Sequence, residues 1–338
     1  MLNKEELTDR IQALKIEKFR SKQMLHAVFH DGLRDFSGLT TLPANIRPIL
    51  KEAIKVYSIE CIRSSKSKDG ATEKTLFQTG DGCKVESVLM RFKDGRNSVC
   101  VSSQVGCRLG CKFCATGTLG FNRNLTYQEI ADQVLFYHQL LLKEGTRITN
   151  IIFMGMGEPF LNYDEVIKCV RFLNDPDCFN IGARNITIST SGICDGIEKL
   201  ARENLQVNLA VSLHAANQQK RESIMPVAKM FSMERLFESL KKYIEITNRR
   251  VSFEYIMLKG VNDSIDDARD LANLTKNMLC HINLIPYNAT GIAGMVGSGK
   301  ISINRFKEVL DNAGIPVTVR VSMGKDIDAA CGQLANKL

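Results

Sequence analysis

The sequence predicts an α/β protein, a parallel sheet with crossover helices behind a small helical and β accessory segment. From about residue 98 onward, strand-like runs alternate with helical stretches, whereas the residues before that point read first as helices and then as hairpin strands. Apolar residues at 44% and charged residues at 24% of 338 are ordinary globular values, and the length suits one large domain plus a smaller one. A collagen-like fibre, a largely disordered chain and a small disulfide-stapled module are excluded.

Taken in order, Leu7, Ile11, Leu14 and then Phe19, Met24, Leu25, Val28 and Phe29 repeat at helical spacing. Pro43 and Pro48 bracket the start of a further helix running to about Tyr57. Runs at Ile59 to Ile62, Thr75 to Gln78 and Val85 to Phe92, separated by Gly70, Gly80-Asp81-Gly82 and Asp94-Gly95, predict one or two hairpins. Beyond them strands are expected at residues 98–102, 150–154, 185–189, 207–212, 251–257 and 281–286, with a seventh at 317–321. Helices are expected between them at residues 127–142, 164–173, 194–202, 233–246, 264–277 and 304–312. Thr126 and Ser264 are expected N-caps, the second with Asp267 three residues on. Parallel strands need crossovers and two covered faces. An open doubly wound sheet and a barrel both satisfy this alternation.

The formal charge is +8, and residues 1–98 hold 18 Lys and Arg against 13 Asp and Glu. That excess suits a polyanionic partner such as RNA, and equally a plain basic soluble protein. No apolar run approaches the roughly 20 residues that span a bilayer, and Met1-Leu2-Asn3-Lys4-Glu5-Glu6 lacks a signal-peptide core, so a cytoplasmic protein without a membrane partner is expected. Eleven cysteines are an odd number, which rules out a complete disulfide framework and turns attention to metal or redox chemistry.

Cys107-Arg108-Leu109-Gly110-Cys111-Lys112-Phe113-Cys114 is a C-x3-C-x2-C spacing directly after the first expected core strand, flanked by Gly106 and Gly117. Three thiolates in one glycine-permissive loop can converge on a metal. A closed zinc site wants four ligands, and no second CxxC or HxxxH pair stands nearby. A 4Fe-4S cluster held by three cysteines leaves one iron open. Ile151 to Pro159 reads as a strand running into the glycine turn and carboxylate Gly155-Met156-Gly157-Glu158, where ligands approach the carboxyl ends of parallel strands. Near the C-terminus, Ala329-Ala330-Cys331-Gly332 leaves a thiol with little bulk beside it.

The cysteine spacing, with an aromatic before the last Cys, resembles the signature of radical S-adenosylmethionine enzymes. The wider strings, Ser102 to Gly117 and Gly120-Phe121-Asn122-Arg123-Asn124-Leu125, resemble the RlmN/Cfr family of RNA adenine methyltransferases. The resemblance runs over nearly the whole chain and implies a partial (β/α)6 barrel radical SAM core at residues 98–322. An N-terminal RNA-binding accessory domain at 1–97 would precede it, and a C-terminal segment at 323–338 would carry the methyl-accepting cysteine. It implies a 4Fe-4S cluster on Cys107, Cys111 and Cys114. It also implies S-adenosylmethionine contacts at Gly157, Glu158, Ser189, Ser212, Leu213, His214 and Asn288. Cys331 would take a methyl group from one S-adenosylmethionine, and a second, cleaved at the cluster, would activate that methyl for addition to adenine. The transient protein–RNA adduct would lose a proton to Glu86 and be resolved by Cys100, leaving a Cys100–Cys331 disulfide.

The substrate implied is C2 of an adenine in 23S rRNA, with tRNA as a further substrate in some members; the Cfr branch acts at C8. An electron donor such as flavodoxin and a thiol reductant are the implied partners. The chain departs from the family pattern at Ala289, where a proline is usual, and in the glycine-rich stretch 292–300. Cys61, Cys83, Cys169, Cys178, Cys194 and Cys280 match no motif and read as packing residues. A non-catalytic iron–sulfur or zinc RNA-binding protein is the alternative from a different class.

Overall fold

The computed structural model describes residues 3–292 and 294–336; Met1 and Leu2 of the N-terminal string and Ala293 of the glycine-rich stretch lie outside the described residues. Helices α1 (Lys4–Ala13), α2 (Arg20–Phe29) and α3 (Arg47–Ala53) come first, followed by strands β1 (Ile59–Lys66), β2 (Thr72–Thr79) and β3 (Lys84–Arg91). After β4 (Asn97–Cys100), two short strands, β5 (Gln104–Gly106) and β6 (Phe121–Asn124), pair with each other and lead into α4 (Tyr127–Lys143). The alternation continues through β7 (Asn150–Phe153), α5 (Tyr163–Asn174), β8 (Ile186–Thr190), α6 (Cys194–Arg202), β9 (Asn208–Ser212), α7 (Gln218–Ile224) and α8 (Met233–Thr247). It closes with β10 (Val251–Met257), α9 (Ile265–Thr275), β11 (Cys280–Pro286), α10 (Lys300–Asn312) and β12 (Val317–Val319).

One ten-stranded sheet has the order β1-β2-β3-β4-β7-β8-β9-β10-β11-β12. From β4 to β12 every neighbour is parallel and every step follows chain order. A doubly wound sheet reverses its strand order at a switch point; this one does not, so the succession is that of a barrel. The barrel stays open, because β4 spends its other edge on β3, antiparallel through Val88↔Cys100 and Leu89↔Val99. The partial barrel is thus observed, and the three accessory strands prolong the same sheet.

Burial explains the elements. In β10, Val251, Phe253, Tyr255 and Met257 on one face are fully buried and Glu254 and Ile256 on the other are buried too, as a strand covered on both faces requires. Thr126 and Ser264 each form a capping box, with Glu129 and Asp267, so both expected caps are present. Three features differ from the sequence pattern. The β5–β6 pair was not expected, since its strands are too short to show alternation. Helix α7 was also not expected, and α3 ends at Ala53, well before Tyr57. Cys61 lies exposed on the edge strand β1, so it is not a packing residue; Cys169, Cys178, Cys194 and Cys280 are buried. No helix among the described residues is long and apolar enough to cross a membrane.

Candidate active site

The carboxyl ends of β4, β7, β8, β9 and β10 open on one cavity of about 1280 Å³ including its mouth. Its lining brings together Cys100, Cys107, Cys111, Cys114, Gly157, Glu158, Ser189, Ser212, His214 and Cys331. Leu213, Asn288 and Glu86 are not in that lining. Leu213 is fully buried behind it and donates its N–H to the Glu254 carbonyl at 3.0 Å.

The cysteine loop is fastened on both sides. Lys112 N–H donates to the Ile224 carbonyl at 3.0 Å and Ala115 N–H to the Gly332 carbonyl at 2.7 Å, which joins the loop to the C-terminal segment. Phe113, the aromatic before the last cysteine, packs edge-on to the His214 ring with centroids 4.7 Å apart. Burial pushes the Cys107 thiol up to about 11 and the Cys111 thiol higher still. Among the described residues no three His, Cys, Asp or Glu side chains converge on one ion-sized point. Three thiols lining one cavity suit a group with several irons, each meeting its own thiolate.

The glycine–carboxylate turn is locked by close approach. Gly157 has φ +100°, and a Cβ there would stand 2.5 Å from the Gln104 Cβ, so only glycine fits. Gln104 Oε1 accepts the Glu158 N–H at 2.8 Å. The Glu158 carboxylate is 2% exposed and accepts the N–H groups of Ser191 at 2.7 Å and Phe160 at 3.1 Å. Burial nevertheless holds its pKa above the ordinary carboxylate range. A buried carboxylate on a cavity wall suits a cationic ligand group such as an ammonium.

His214 Nδ1 accepts the Ile256 N–H at 3.0 Å, and burial, followed by the charge of Arg221, lowers the ring to about 3. The imidazole is therefore neutral, with its proton on Nε2. Arg221 is fully buried and ties two strand ends together, donating to the carbonyls of Leu213 at 3.1 Å, Ser191 at 2.6 Å and Ser212 at 3.3 Å. Glu254, in the middle of β10, lines the cavity and accepts from Asn283 Nδ2 at 2.9 Å. Neither Arg221 nor Glu254 was singled out in the sequence. A lone carboxylate inside the apolar run Val251 to Met257 was the available signal for Glu254, whereas Arg221 sits in a polar helix with nothing to mark it.

Cys331 is solvent-accessible and lines the cavity, and loss of solvation there, followed by the charges of Cys114 and Glu254, pushes its thiol up to about 12. Cys100, at the end of β4, is buried on the same cavity and is pushed to the same level, first by burial and then by Cys331. Asn288 Nδ2 donates to the Cys331 carbonyl at 3.3 Å, while its buried Oδ1 has no hydrogen-bond partner among the described residues. Glu86 is buried in the sheet, paired with Lys74 and bonded to the backbone of Ala335 and Asn336.

An open β/α barrel whose strand ends face a three-cysteine loop and a buried carboxylate defines a radical S-adenosylmethionine enzyme, and residues 101–272 match the Radical SAM superfamily. A crystal structure of a radical SAM methyltransferase from Sphaerobacter thermophilus has a TM-score of 0.97 at 44% identity, covering 99% of this chain and 98% of that one. A probable dual-specificity RNA methyltransferase RlmN from Symbiobacterium thermophilum is 46% identical over 98% of this chain and 90% of its own length. The protein of the same description from Carboxydothermus hydrogenoformans is 44% identical over 99% and 97%. The chain belongs to the RlmN family of radical SAM RNA methyltransferases, whose cofactors are a 4Fe-4S cluster and S-adenosylmethionine.

Proposed function

We propose that the chain methylates C2 of an adenine in 23S rRNA, with tRNA as a second substrate, through a methyl group carried on Cys331. The observation that carries this is the meeting of Cys331 with Cys100 and the Cys107 to Cys114 loop in one cavity. The two-substrate reading draws on the dual specificity in the relatives' names. The excess of Lys and Arg in residues 1–98 supports RNA binding by the N-terminal domain, residues 1–97, ahead of a core at 98–322 and a Cys331 segment at 323–338. A cytoplasmic location follows from the substrate.

Cys107, Cys111 and Cys114 are the residues to hold the cluster. Gly157, Glu158, Ser189, Ser212, Leu213, His214 and Asn288 are those to hold S-adenosylmethionine, with Glu158 facing its ammonium and Leu213 acting through its backbone. When bound, the cluster would supply an electron to S-adenosylmethionine, which would supply both the methyl group and the fragment that abstracts hydrogen, and the cluster would take back the one electron left on the adduct when the adenine proton is lost. Cys331 Sγ gives up its proton and takes the methyl by displacement, and the adenine carbon then becomes joined to that sulfur through the methylene. Glu86 accepts the adenine proton. Lys74 and the backbone amides of Ala335 and Asn336 hold that carboxylate. Cys100 Sγ attacks Cys331 Sγ; the carbon–sulfur bond breaks with its electron pair on carbon, which takes up a proton. The resulting Cys100–Cys331 disulfide is reopened by a thiol reductant.

Mass spectrometry of 23S rRNA and tRNA treated with the anaerobically reconstituted enzyme tests this reading. The expected product is 2-methyladenosine; 8-methyladenosine, or none with an intact cluster, overturns it.

A further inference from the structure

Residues 324–336 contain one short turn, Lys325–Ile327, and no strand. Backbone ladders therefore do not hold Cys331 at the cavity, and the fastenings come from elsewhere in the chain. Lys68 N–H donates to Asp326 Oδ2 at 2.8 Å. Gly324, at φ +66°, lies so close to β2 that an added Cβ would stand 2.6 Å from Thr72 Cγ2. Thr116 Oγ1 donates to the Leu334 carbonyl at 2.7 Å and Gln333 Nε2 to the Ala289 carbonyl at 2.9 Å.

The deepest fastening is Glu86. Its Oε2 accepts the N–H of Ala335 at 2.8 Å and of Asn336 at 3.0 Å, while Oε1 faces Lys74 Nζ at 3.0 Å. The side chains of Lys74 and Glu86 are 1% and 0% exposed. Leu76 lies opposite Glu86 in the β2–β3 register, which makes Lys74, two residues back, its diagonal neighbour on the same sheet face. The two strands do not need this pair, since well-packed apolar residues serve a sheet as well or better than a buried ion pair. An apolar residue at position 86, however, accepts no amides, and Glu86 without Lys74 is a buried charge lacking its compensation.

We propose that Lys74 and Glu86 form a buried latch: Lys74 neutralises Glu86, Glu86 grips the 335–336 backbone, and the segment so held sets Cys331 on the cavity wall. Lys74 is a positioning residue. Oε2 holds the two amides while Oε1 faces Lys74, so the grip on the segment and the pairing with Lys74 use different oxygens of one carboxylate. The proposal deepens the methyl-cysteine reading and rests on it for the purpose of the placement.

The test compares the reconstituted full chain with its Lys74→Met and Lys74→Arg variants, by hydrogen exchange over the peptide containing residues 329–336. Lys74→Met is expected to speed exchange there about tenfold or more, with Lys74→Arg within about twofold of the parent. Iron–sulfur absorbance and RNA-independent cleavage of S-adenosylmethionine stay unchanged in both. The methyl content of Cys331, read by peptide mass, falls about fivefold in Lys74→Met and is kept in Lys74→Arg. Unchanged exchange in Lys74→Met overturns the latch, and so does an equal effect of Lys74→Arg. If Lys74→Met does not fold, deletion of residues 335–338 replaces it: about tenfold faster exchange at 329–334 supports the latch and unchanged exchange overturns it. Faster exchange in a protein whose parent never carries a methyl on Cys331 supports the latch and removes the methyl-cysteine reading instead.

Discussion

The cysteine loop and the C-terminal segment both deliver sulfur to one cavity, and they do so by opposite means. Cys107, Cys111 and Cys114 come from eight consecutive residues, so their meeting is a matter of local chain geometry. Cys331 arrives from a segment whose anchors are Lys68, Glu86, Thr116, Asn288 and Ala289, spread over most of the chain. The comparison teaches that a group bound throughout the reaction can be held by a short loop. Cys331, proposed above to carry the methyl group, is instead held by single hydrogen bonds to distant parts of the chain.

The largest effects should separate the two regions. Alanine at Cys107, Cys111 or Cys114 should abolish the brown colour and all S-adenosylmethionine cleavage. Alanine at Cys331 should keep both and lose RNA methylation completely. Visible absorbance and 5′-deoxyadenosine assays decide, and colour lost with Cys331→Ala would show that the two regions are not independent.

Next, Cys100→Ala should accumulate a protein–RNA adduct that survives denaturing gels, and Cys331→Ala should give none. Burial holds the Cys100 thiol up at about 12. Its thiolate fraction therefore grows about tenfold per pH unit below that value, and adduct release in the parent enzyme should quicken accordingly between about pH 7 and 9. A flat release rate would mean that another step limits turnover.

Glu86→Ala leaves Lys74 buried without its carboxylate and the segment without its grip; it should cost about 3–5 kcal/mol in denaturant unfolding. A loss below about 1 kcal/mol would mean that water or another partner takes over.

A milder effect belongs to the barrel side. The His214 ring is lowered from 6.5 to about 3 by burial, so the unfolded chain binds its proton across that window while the folded one does not. Its contribution to stability is therefore lost progressively as pH falls below 6.5, and His214→Gln should flatten the acid limb of a melting-temperature profile. The smallest effect, remote from both regions, is Thr126→Ala, expected to cost about 1 kcal/mol by removing a capping box.

The same division governs how much could be read before folding. Cys107 to Cys114, the Gly157-Glu158 turn, the caps at Thr126 and Ser264 and the β/α alternation from residue 98 were legible, because each is written within about one helical turn or one strand–helix unit. Other features left no local mark: the strand order that makes the sheet a barrel, the β3–β4 pairing that joins the accessory strands to it, and the burial of Glu86. Glu86 is the instructive residue. Val85-Glu86-Ser87 reads as a polar position in a strand, and only the fold shows that Lys74 lies diagonally beside it and the 335–336 amides lie above it.

By itself, then, the sequence determined the chemistry at hand, three thiols in a loop, a carboxylate at a strand end and a thiol between small residues, because residue type and short spacing are local properties. Tertiary structure alone decided that these groups face one cavity and that the last thiol is held there by a buried ion pair. Contacts between residues some 250 positions apart, such as Glu86 with Ala335 and Asn336, depend on which strands pair and which faces close, and no local pattern encodes that.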